Sequence, residues 1–391
     1  MTALRRVVGV ATSLGVALAG LTSCTASDRA LLTAPRCSDA TAEPTVEQHQ
    51  PGQAVLMSHV TRSSLRAGPI PGWEQVVSVA DGRSALAAVH PDGTVSVVGF
   101  NHKGSLAGVS GADEEILFPQ AVPGVRDAVS VAAVGTSFFV THSDGTVTAW
   151  GDRGLTEGGR LQPRPGVRGP TRVDGVEGVV SVADGALNVL ALRSDGELTG
   201  WGTNQLQLLG EPNDTGVRQI DDAPGAISIA NSEDAAIVAT GAGEVCAWGS
   251  NAHGLLGVEP LGGKTPRPVR VAEFDDIVQV GAGGRFALAL DSSGRVWVWG
   301  RMVAGRAGDG RDEQTASLST PTLVPGLPPL QRVYASDSAS YGIDHDGGLW
   351  AWGGHRRVEP YETADLRPRL IPLPGPAQEI SGNVALLGPQ S

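Results

Sequence analysis

The chain has 391 residues, of which 54 are glycine and 26 are proline, and its formal net charge is −12. This many turn-forming residues favours short strands joined by turns over long helices. Nucleic acids and anionic membrane surfaces bind clustered Lys and Arg, so the acidic balance argues against both as direct partners. The length is compatible with one closed β architecture.

The first 23 residues are predicted to be a signal peptide. Arg5 and Arg6 precede an uncharged apolar run over 7–21, which is too short to span a bilayer comfortably. The run ends in Leu21-Thr22-Ser23-Cys24, which resembles the lipobox of bacterial lipoproteins. That resemblance implies acylation of Cys24 and a lipid-anchored protein on the extracytoplasmic face of the cell membrane. The alternative is a plain secretory signal with a coincidental cysteine.

Residues 24–51 are predicted to be the lipidated cysteine and a flexible tether, because they are polar and lack apolar periodicity. Beyond Cys24 the chain contains Cys37 and Cys246. These two thiols either form a disulfide in an oxidising compartment or remain separate, with Cys246 buried as an apolar side chain. The sequence leaves both alternatives open. No Cys-x-x-Cys or Cys/His metal spacing is present, so neither a metal site nor a cofactor is predicted.

One phrase recurs along the rest of the chain at intervals of about fifty residues, a repeat length typical of propeller blades. Its copies are PDGTVSVVG (91–99), SDGTVTAWG (143–151), SDGELTGWG (194–202), GAGEVCAWG (241–249), SSGRVWVWG (292–300) and HDGGLWAWG (345–353). Two short apolar segments precede each copy, and a variable loop and a proline-containing segment follow it. Each repeat therefore predicts four strands, the last of them an edge strand that tolerates proline.

The two ends of the chain supply a seventh repeat. Residues 378–388 match the first two strands of a repeat, whereas 52–58 match the third and 64–73 the fourth. We therefore predict an all-β fold: a seven-bladed β-propeller of four-stranded blades over 52–391. Its closing blade is shared by the N- and C-terminal segments, an arrangement that leaves no free edge between the ends.

The repeats resemble the regulator of chromosome condensation repeat family. The match is clearest in GEVCAWGSNAHGLLG (243–257) and weaker in GELTGWGTNQLQLLG (196–210) and GTVSVVGFNHKGSLAG (93–108). The resemblance implies the same split-blade propeller and a function through protein contact. Its founding nuclear member is a guanine-nucleotide exchange factor, but secretion and acidity argue against that activity here. The chain also lacks the Gly-x-x-His-Ser element that the family often places before the second strand.

The repeated residues are predicted to be structural. Asp-Gly supplies the positive φ of a tight hairpin, and a tryptophan at the same place in five blades is expected to fill the gap between adjacent blades. The predicted structural residues are Trp150, Trp201, Trp248, Trp299, Trp352, Gly93, Gly145, Gly196, Gly243, Gly294 and Gly347.

Function is expected in the loops that do not repeat. The longest are 100–118, 152–169, 301–318 and 354–368, on the face opposite the Asp-Gly turns. The candidate partner-binding anchors there are aromatic, arginine, histidine and methionine residues: Phe100, Phe118, Arg301, Met302, His355, Arg356, Arg357 and Tyr361.

We predict a monomeric, non-enzymatic protein that binds a protein or cell-wall ligand through this face. No Gly-x-Ser-x-Gly elbow, phosphate loop or acid–base pair stands out, so no catalytic residue is predicted. The alternatives are an inhibitor of an enzyme such as a β-lactamase, and a propeller-fold lyase or hydrolase.

Overall fold

The structure is a computed structural model that describes residues 25–38, 43–46, 48–58, 63–152, 169–183, 188–204, 208–209, 216–220, 225–311, 317–354 and 365–389. Within these residues, one helix, α1 (Ala26–Thr33), is followed by 28 strands. Two strands come before the first complete blade: β1 (Gln53–Leu56) and β2 (Gly68–Pro69).

Six blades are then formed by consecutive strands. Blade 1 contains β3 (Ser78–Asp81), β4 (Ala85–Val89), β5 (Val95–Phe100) and β6 (Glu115–Ala121). Blade 2 contains β7 (Ala128–Val134), β8 (Ser137–His142), β9 (Val147–Trp150) and β10 (Thr171–Arg172). Blade 3 contains β11 (Val179–Ala183), β12 (Asn188–Arg193), β13 (Leu198–Gly202) and β14 (Arg218–Ile220). Blade 4 contains β15 (Ala226–Asn231), β16 (Ala235–Thr240), β17 (Val245–Ser250) and β18 (Lys264–Arg270). Blade 5 contains β19 (Ile277–Ala282), β20 (Phe286–Asp291), β21 (Val296–Arg301) and β22 (Ser317–Leu323). Blade 6 contains β23 (Leu330–Ala335), β24 (Ala339–Asp344), β25 (Leu349–Gly353) and β26 (Asp365–Ile371).

Blade 7 closes the ring with strands from both ends of the chain. It combines β27 (Ala377–Ser381) and β28 (Val384–Leu387) with β1 and β2, in the order β2-β1-β28-β27. The strands are antiparallel, and Val55 lies opposite Ala385. The predicted seven-bladed propeller is therefore confirmed, including its split closing blade.

The apolar core lies between the blades. Its seven clusters of buried side chains are each contributed by two adjacent blades, since every sheet packs on its neighbours with both faces. Removal of this apolar surface from water stabilises the ring as a whole rather than any blade alone.

The tryptophans of the repeat lie in these gaps. Trp150, Trp201, Trp248, Trp299 and Trp352 are all buried. The indole Nε1 of Trp248 donates to the carbonyl of Leu208 in the preceding blade, at 2.7 Å. Trp150, Trp299 and Trp352 make the same kind of bond, to Ser105, Leu255 and Arg306. These side chains therefore join blades both by packing and by a hydrogen bond.

Blade 1 has valine where five other blades have this tryptophan. Val98 lies in the gap between blades 7 and 1, and Trp73, from the connection that follows β2, fills the same gap. The indole of Trp73 donates to Ser96 Oγ at 2.7 Å. Trp73 therefore fills the space that the repeat tryptophan fills in five other blades, although it lies at a different place in the repeat.

The Asp-Gly turns lie on one face of the ring, which we call the turn face. The six turn glycines have φ between 75° and 84°. In the second blade, the carboxylate of Asp144 accepts from the Thr146 amide at 2.9 Å and from its hydroxyl at 2.7 Å, and these bonds lower the pKa of Asp144. The loop face, on the opposite side, carries the connections from first to second and from third to fourth strands.

The N-terminal segment differs from the expected tether. Helix α1 packs against β18, and its Leu31 is buried in the cluster between blades 4 and 5. Cys37 and Cys246 form a disulfide, which decides between the two alternatives that the sequence leaves open. The described part of the chain contains no helix with the length and hydropathy to cross a membrane.

Candidate functional site

Charged side chains gather on the loop face around the axis of the ring. The connections between first and second strands carry Arg83 in blade 1, Glu233 in blade 4, Arg285 in blade 5 and Asp337 in blade 6. The corresponding connection of blade 2 contributes uncharged Thr136, and that of blade 7 has Gly382. We call the four charged residues, together with Asp234, the rim.

The charges of the rim alternate in sign and pair between blades. Arg83 Nη2 lies 3.1 Å from Asp337 Oδ2, so this ion pair passes over the connection of blade 7. Arg285 Nε lies 3.2 Å from Glu233 Oε2 and 3.5 Å from Asp234 Oδ2. Arg83 and Asp337 remain largely exposed, at 56% and 69% of their side-chain surface, so water screens their attraction and leaves it worth little to folding.

Backbone hydrogen bonds fix the spacing of these connections. The Glu233 amide donates to the Gly284 carbonyl at 3.1 Å, and the Gly284 amide donates to the Asp337 carbonyl at 3.2 Å. Three adjacent blades thus hold their rim residues in a fixed order, as a recognition surface requires.

Arg306 is less exposed than the rim residues and contacts one of them, Asp337. Arg306 is only 8% exposed. Its guanidinium carbon lies 4.8 Å from the centre of the Phe286 ring, and its Nη2 donates to the Asp337 carbonyl at 2.8 Å. Burial, and then the neighbouring Arg301 charge, lower the pKa of Arg306 to about 10, so the group stays charged at neutral pH.

His253 is a titratable residue next to the rim residue Asp234. Its Nε2 lies 3.7 Å from Asp234 Oδ2. Partial burial lowers the pKa of His253, with a further lowering by Arg285, while Asp234 acts in the opposite direction. Its imidazole is therefore neutral at pH 7.

The anchors predicted from the sequence are dispersed. Arg301 ends β21 on the loop face, where its carbonyl accepts from Arg306 Nη1 at 3.3 Å. Phe100 is half-buried at the end of β5. Phe118 is 67% exposed, but it lies on the outer strand β6, at the side of the ring.

Met302 is corrected from a surface anchor to a core residue. It is 3% exposed and packs with Phe286 and Trp352 between blades 5 and 6. An unbranched thioether fills such an interblade gap readily and is stabilised by leaving water. The remaining predicted anchors, His355, Arg356, Arg357 and Tyr361, lie outside the described residues, as does Cys24.

The rim itself was missed by the sequence analysis, although a signal for it exists. The connections read DGRSA (81–85), NSEDA (231–235), GAGGRF (281–286) and SDSAS (336–340), and their charged residues do not follow the repeat. Only the closed ring shows that these distant charges meet.

The central channel is the second distinctive region. Each innermost strand carries a polar residue at the equivalent place, which is the third residue of six of these strands and the first residue of β3. The side chain at this position bonds the next blade in several cases: Ser228 Oγ accepts from the Val280 amide at 3.1 Å, and Gln279 Oε1 from the Val333 amide at 2.9 Å. The seven residues are Ser78, Ser130, Ser181, Ser228, Gln279, Arg332 and Glu379. Blades 5 to 7 therefore replace serine by larger and charged groups.

A cavity of about 710 Å³ occupies this channel, and residues of the N-terminal segment border it. They are 43–46, 48 and 49. The His49 Nε2 lies 4.0 Å from Glu379 Oε2. Burial of the ring, followed by the charge of Arg332, lowers the pKa of His49 to about 4, so these effects outweigh the nearby carboxylate. Among the described residues, no group of three His, Cys, Asp or Glu side chains is placed to hold a metal ion.

Comparison with known proteins relates this geometry to one repeat family. Models of the regulator of chromosome condensation (RCC1) repeat match residues 242–290 and 277–306. The human E3 ubiquitin-protein ligase HERC2 is 28% identical over 272 residues, which is 67% of this chain and 4% of the ligase. The mitochondrial RCC1 domain-containing protein RUG3 of Arabidopsis thaliana is 28% identical over 237 residues, or 57% of this chain and 41% of that protein.

Among solved structures, that of Prp20p from Saccharomyces cerevisiae superposes with a TM-score of 0.72 at 19% identity, covering 88% of this chain and 92% of Prp20p. This likeness shows the fold. The chain spans far less than two thirds of HERC2 and of RUG3, so the likeness to them concerns one region of each protein. The chain is therefore a seven-bladed β-propeller that is similar to RCC1-repeat proteins, with models of that repeat matching residues 242–306.

Proposed function

We propose that the protein is a non-enzymatic binding module, held on the extracytoplasmic face of the cell membrane by a lipid on Cys24, that engages a protein partner through its loop face. The observation that carries the proposal is the rim, where alternating charges break the repeat. A feature used only to build the ring recurs in every blade, as the buried tryptophans nearly do. Among the connections that the structure describes, those of blades 1, 4, 5 and 6 carry the rim charges, whereas those of blades 2 and 7 carry none.

The chemistry of the rim suits recognition of a folded partner. Exposed Arg83, Asp337 and Arg285 present charges of both signs at fixed spacing. A partner with the complementary order gains specificity, because a wrong register brings like charges together. Each acidic residue of the rim lies beside an arginine, an arrangement that favours binding over acid–base chemistry.

The comparisons supply independent support for protein binding. The solved structure of Prp20p is described together with its binding to Gsp1p and histones. Because the shared identity is 19%, this likeness supports only the general proposal that the propeller contacts proteins.

Two features support the placement outside the cytoplasm. Cys24 ends a lipobox-like sequence, and Cys37 pairs with Cys246 in a disulfide, a bond typical of oxidising compartments. The anchor is tested by metabolic labelling with a clickable fatty acid. Label is expected on the protein and is lost in Cys24→Ala; label retained in that variant contradicts the anchor.

The rim is tested by crosslinking in intact cells with the double variant Arg83→Glu/Arg285→Glu. The matched control is Arg126→Glu, an exposed arginine on the turn face. Yield of a specific crosslinked protein is expected to fall by about tenfold or more in the rim variant, because reversed charges repel the partner, and to stay constant in the control. Equal yields from the wild type, the rim variant and the control would contradict the proposal that the loop face binds the partner.

The same purified proteins distinguish the other functions. The wild-type protein is tested for release of labelled GDP from a small GTPase and for inhibition of a β-lactamase. Either effect identifies the class of partner if the rim variant loses it. Crosslinks to peptidoglycan instead of protein would contradict the proposed partner and favour a cell-wall ligand.

A further inference from the structure

Helix α1 is docked on the circumference of the ring, against the outermost strand of blade 4. The Ser27 hydroxyl donates to the Leu261 carbonyl at 2.8 Å, and Leu31 is buried between blades 4 and 5. The helix lies close to the chain that leads into β18, since a Cβ added at Gly263 would meet Leu31 Cδ1 at 2.9 Å. The helix is therefore part of the propeller body.

The start of this helix lies next to the proposed lipid. Thr25 is the N-cap of α1: its hydroxyl accepts from the Asp28 amide, and the Asp28 carboxylate accepts from the Thr25 amide, both at 3.1 Å. Cys24 directly precedes Thr25 in the sequence, and consecutive Cα atoms are about 3.8 Å apart. A lipid on Cys24 therefore brings the docked helix, and with it the outer edge of blade 4, close to the bilayer surface.

Two leucines are exposed on this edge. Leu32 of α1 is 63% exposed, and Leu261, whose carbonyl accepts from the helix, is 38% exposed. Leu31 is the buried leucine of α1, so Leu32 is left facing water. Leucines exposed on a docked helix enter the boundary between lipid headgroups and acyl chains readily.

Basic side chains accompany the two leucines. Arg29 lies three positions before Leu32, on the same side of α1. Arg36 Nη1 donates to the carbonyl of Pro268, a residue of β18, at 2.8 Å. Four basic residues of this edge are exposed: Arg29, Arg36, Lys264 and Arg267.

The acidic residues of the same segments do not cancel this charge. Residues 25–36 and 259–267 contain two acidic residues, Asp28 and Glu259, against the four basic ones. Both carboxylates accept hydrogen bonds within the protein, Asp28 from Thr25 and Glu259 from Ser319. The edge is therefore locally positive, although the formal net charge of the whole chain is −12.

The combination of apolar and basic side chains distinguishes this edge from other exposed edges of the ring. On the outer strand of blade 1, Phe118 is 67% exposed, but the exposed residues Asp113 and Glu114 precede that strand. An anionic lipid surface repels such an edge. On blade 6, Leu370 is 52% exposed near Arg367, but blade 6 lies two blades away from the strand that holds the helix.

We propose that the outer edge of blade 4 is the surface with which the propeller lies on an anionic phospholipid bilayer. Leu32 and Leu261 enter the headgroup region, and the four basic side chains contact lipid phosphates. This inference rests on the proposed lipid at Cys24, because stable attachment takes two signals and the edge supplies only the second.

The orientation of the ring follows from this contact. The outermost strands lie on the circumference, so the axis of the ring runs parallel to the membrane. The loop face and the turn face then both point sideways, and the rim stays open to a partner.

The test uses the protein as recovered from cell membranes, reconstituted into vesicles of phosphatidylcholine alone or of equal parts of phosphatidylcholine and phosphatidylglycerol. A polarity-sensitive nitrobenzoxadiazole fluorophore is attached at Leu32→Cys, or at Phe118→Cys as the matched control, since these side chains are 63% and 67% exposed. Emission at position 32 is expected to rise about twofold or more in the anionic vesicles, with position 118 unchanged. Flotation of the protein with the vesicles reports the lipid anchor separately.

Charge reversal tests the basic residues. Arg29→Glu/Lys264→Glu is expected to lower the ratio of docked to undocked molecules by about twentyfold or more, because each basic residue near an anionic surface contributes a factor of about five. Arg126→Glu/Arg172→Glu changes the net charge equally at exposed arginines away from blade 4, and should leave the emission at position 32 as it is.

The outcomes separate the edge from the anchor. Protein that floats but shows the same emission at positions 32 and 118, or keeps its emission at position 32 in Arg29→Glu/Lys264→Glu, overturns the proposed edge and leaves the lipid anchor standing. An equal rise in phosphatidylcholine alone overturns the role of anionic lipid. Protein that does not float overturns the anchor, and this inference with it.

Discussion

The close fit of the turns between blades can be measured with one pair of glycine substitutions. Gly243 lies in the turn between β16 and β17 with φ +76°, and a Cβ added there would meet the Asp275 carbonyl oxygen at 2.2 Å and the Asp276 nitrogen at 2.6 Å. These atoms belong to the connection from blade 4 to blade 5. Gly175 has the same φ of +76°, but a Cβ there has nothing within 4 Å.

The comparison of Gly243→Ala with Gly175→Ala isolates the steric effect. Both variants place alanine in the left-handed region, at a cost of about 1 kcal/mol, and both restrict the unfolded chain equally. Only Gly243→Ala also forces two backbone segments apart, which adds about 1–3 kcal/mol by analogy with overpacking in a core. We therefore expect the free energy of unfolding to fall by about 1 kcal/mol in Gly175→Ala and by about 2–4 kcal/mol in Gly243→Ala.

Urea unfolding followed by tryptophan fluorescence measures both losses on the oxidised protein. The dependence of the free energy on urea should be the same for both variants, so that the midpoints report stability alone. Equal losses would show that backbone conformation, and not the contact with Asp275, sets the requirement for glycine. No loss in Gly243→Ala would refute the close packing of this turn against the next connection.

Two further outcomes follow from the buried groups. Trp248→Phe leaves the Leu208 carbonyl without its indole donor and should lower the free energy of unfolding by about 1–3 kcal/mol, whereas Trp350→Phe, at a half-buried site, should cost less in the same urea titration. His49 has a pKa of about 4 beside the channel and an ordinary value of 6.5 when free, so the form in which His49 has left the channel takes up a proton as pH falls from 6.5 towards 4. The contact of His49 with the channel should therefore weaken from pH 7 to pH 5, seen as smaller protection factors of the amides of 48–52 after correction for the intrinsic pH dependence of exchange. His49→Gln should remove that change.

The ring was predictable because its information is local and repeated. Each Asp-Gly turn and each tryptophan carries the same physical requirement about fifty residues apart, so the copies reinforce one another. The closing blade could be predicted for the same reason, since 378–388 and 52–58 complete one unit between them. The position of Met302 could not, because a single apolar residue after a strand is equally compatible with a loop surface and with an interblade gap.

The N-terminal segment that precedes β1 shows the opposite case. Its contacts join residues far apart in sequence, such as Ser27 with Leu261 and Cys37 with Cys246, and no periodicity reports them. One local signal was available: Thr25 and Asp28 form a capping box at the start of α1, three residues apart in a segment otherwise typical of a tether. The rim lies between these two cases. Its charged residues can be read from the sequence, but their proximity depends on closure of the ring.

The split blade also imposes an order on biosynthesis. Val55 of β1 lies opposite Ala385 of β28, which is translated only after all six complete blades. Until then the nascent chain carries β1 without its partner β28 and an incomplete ring, both open to association with other chains. The ring can therefore close only after β27 and β28 have been made.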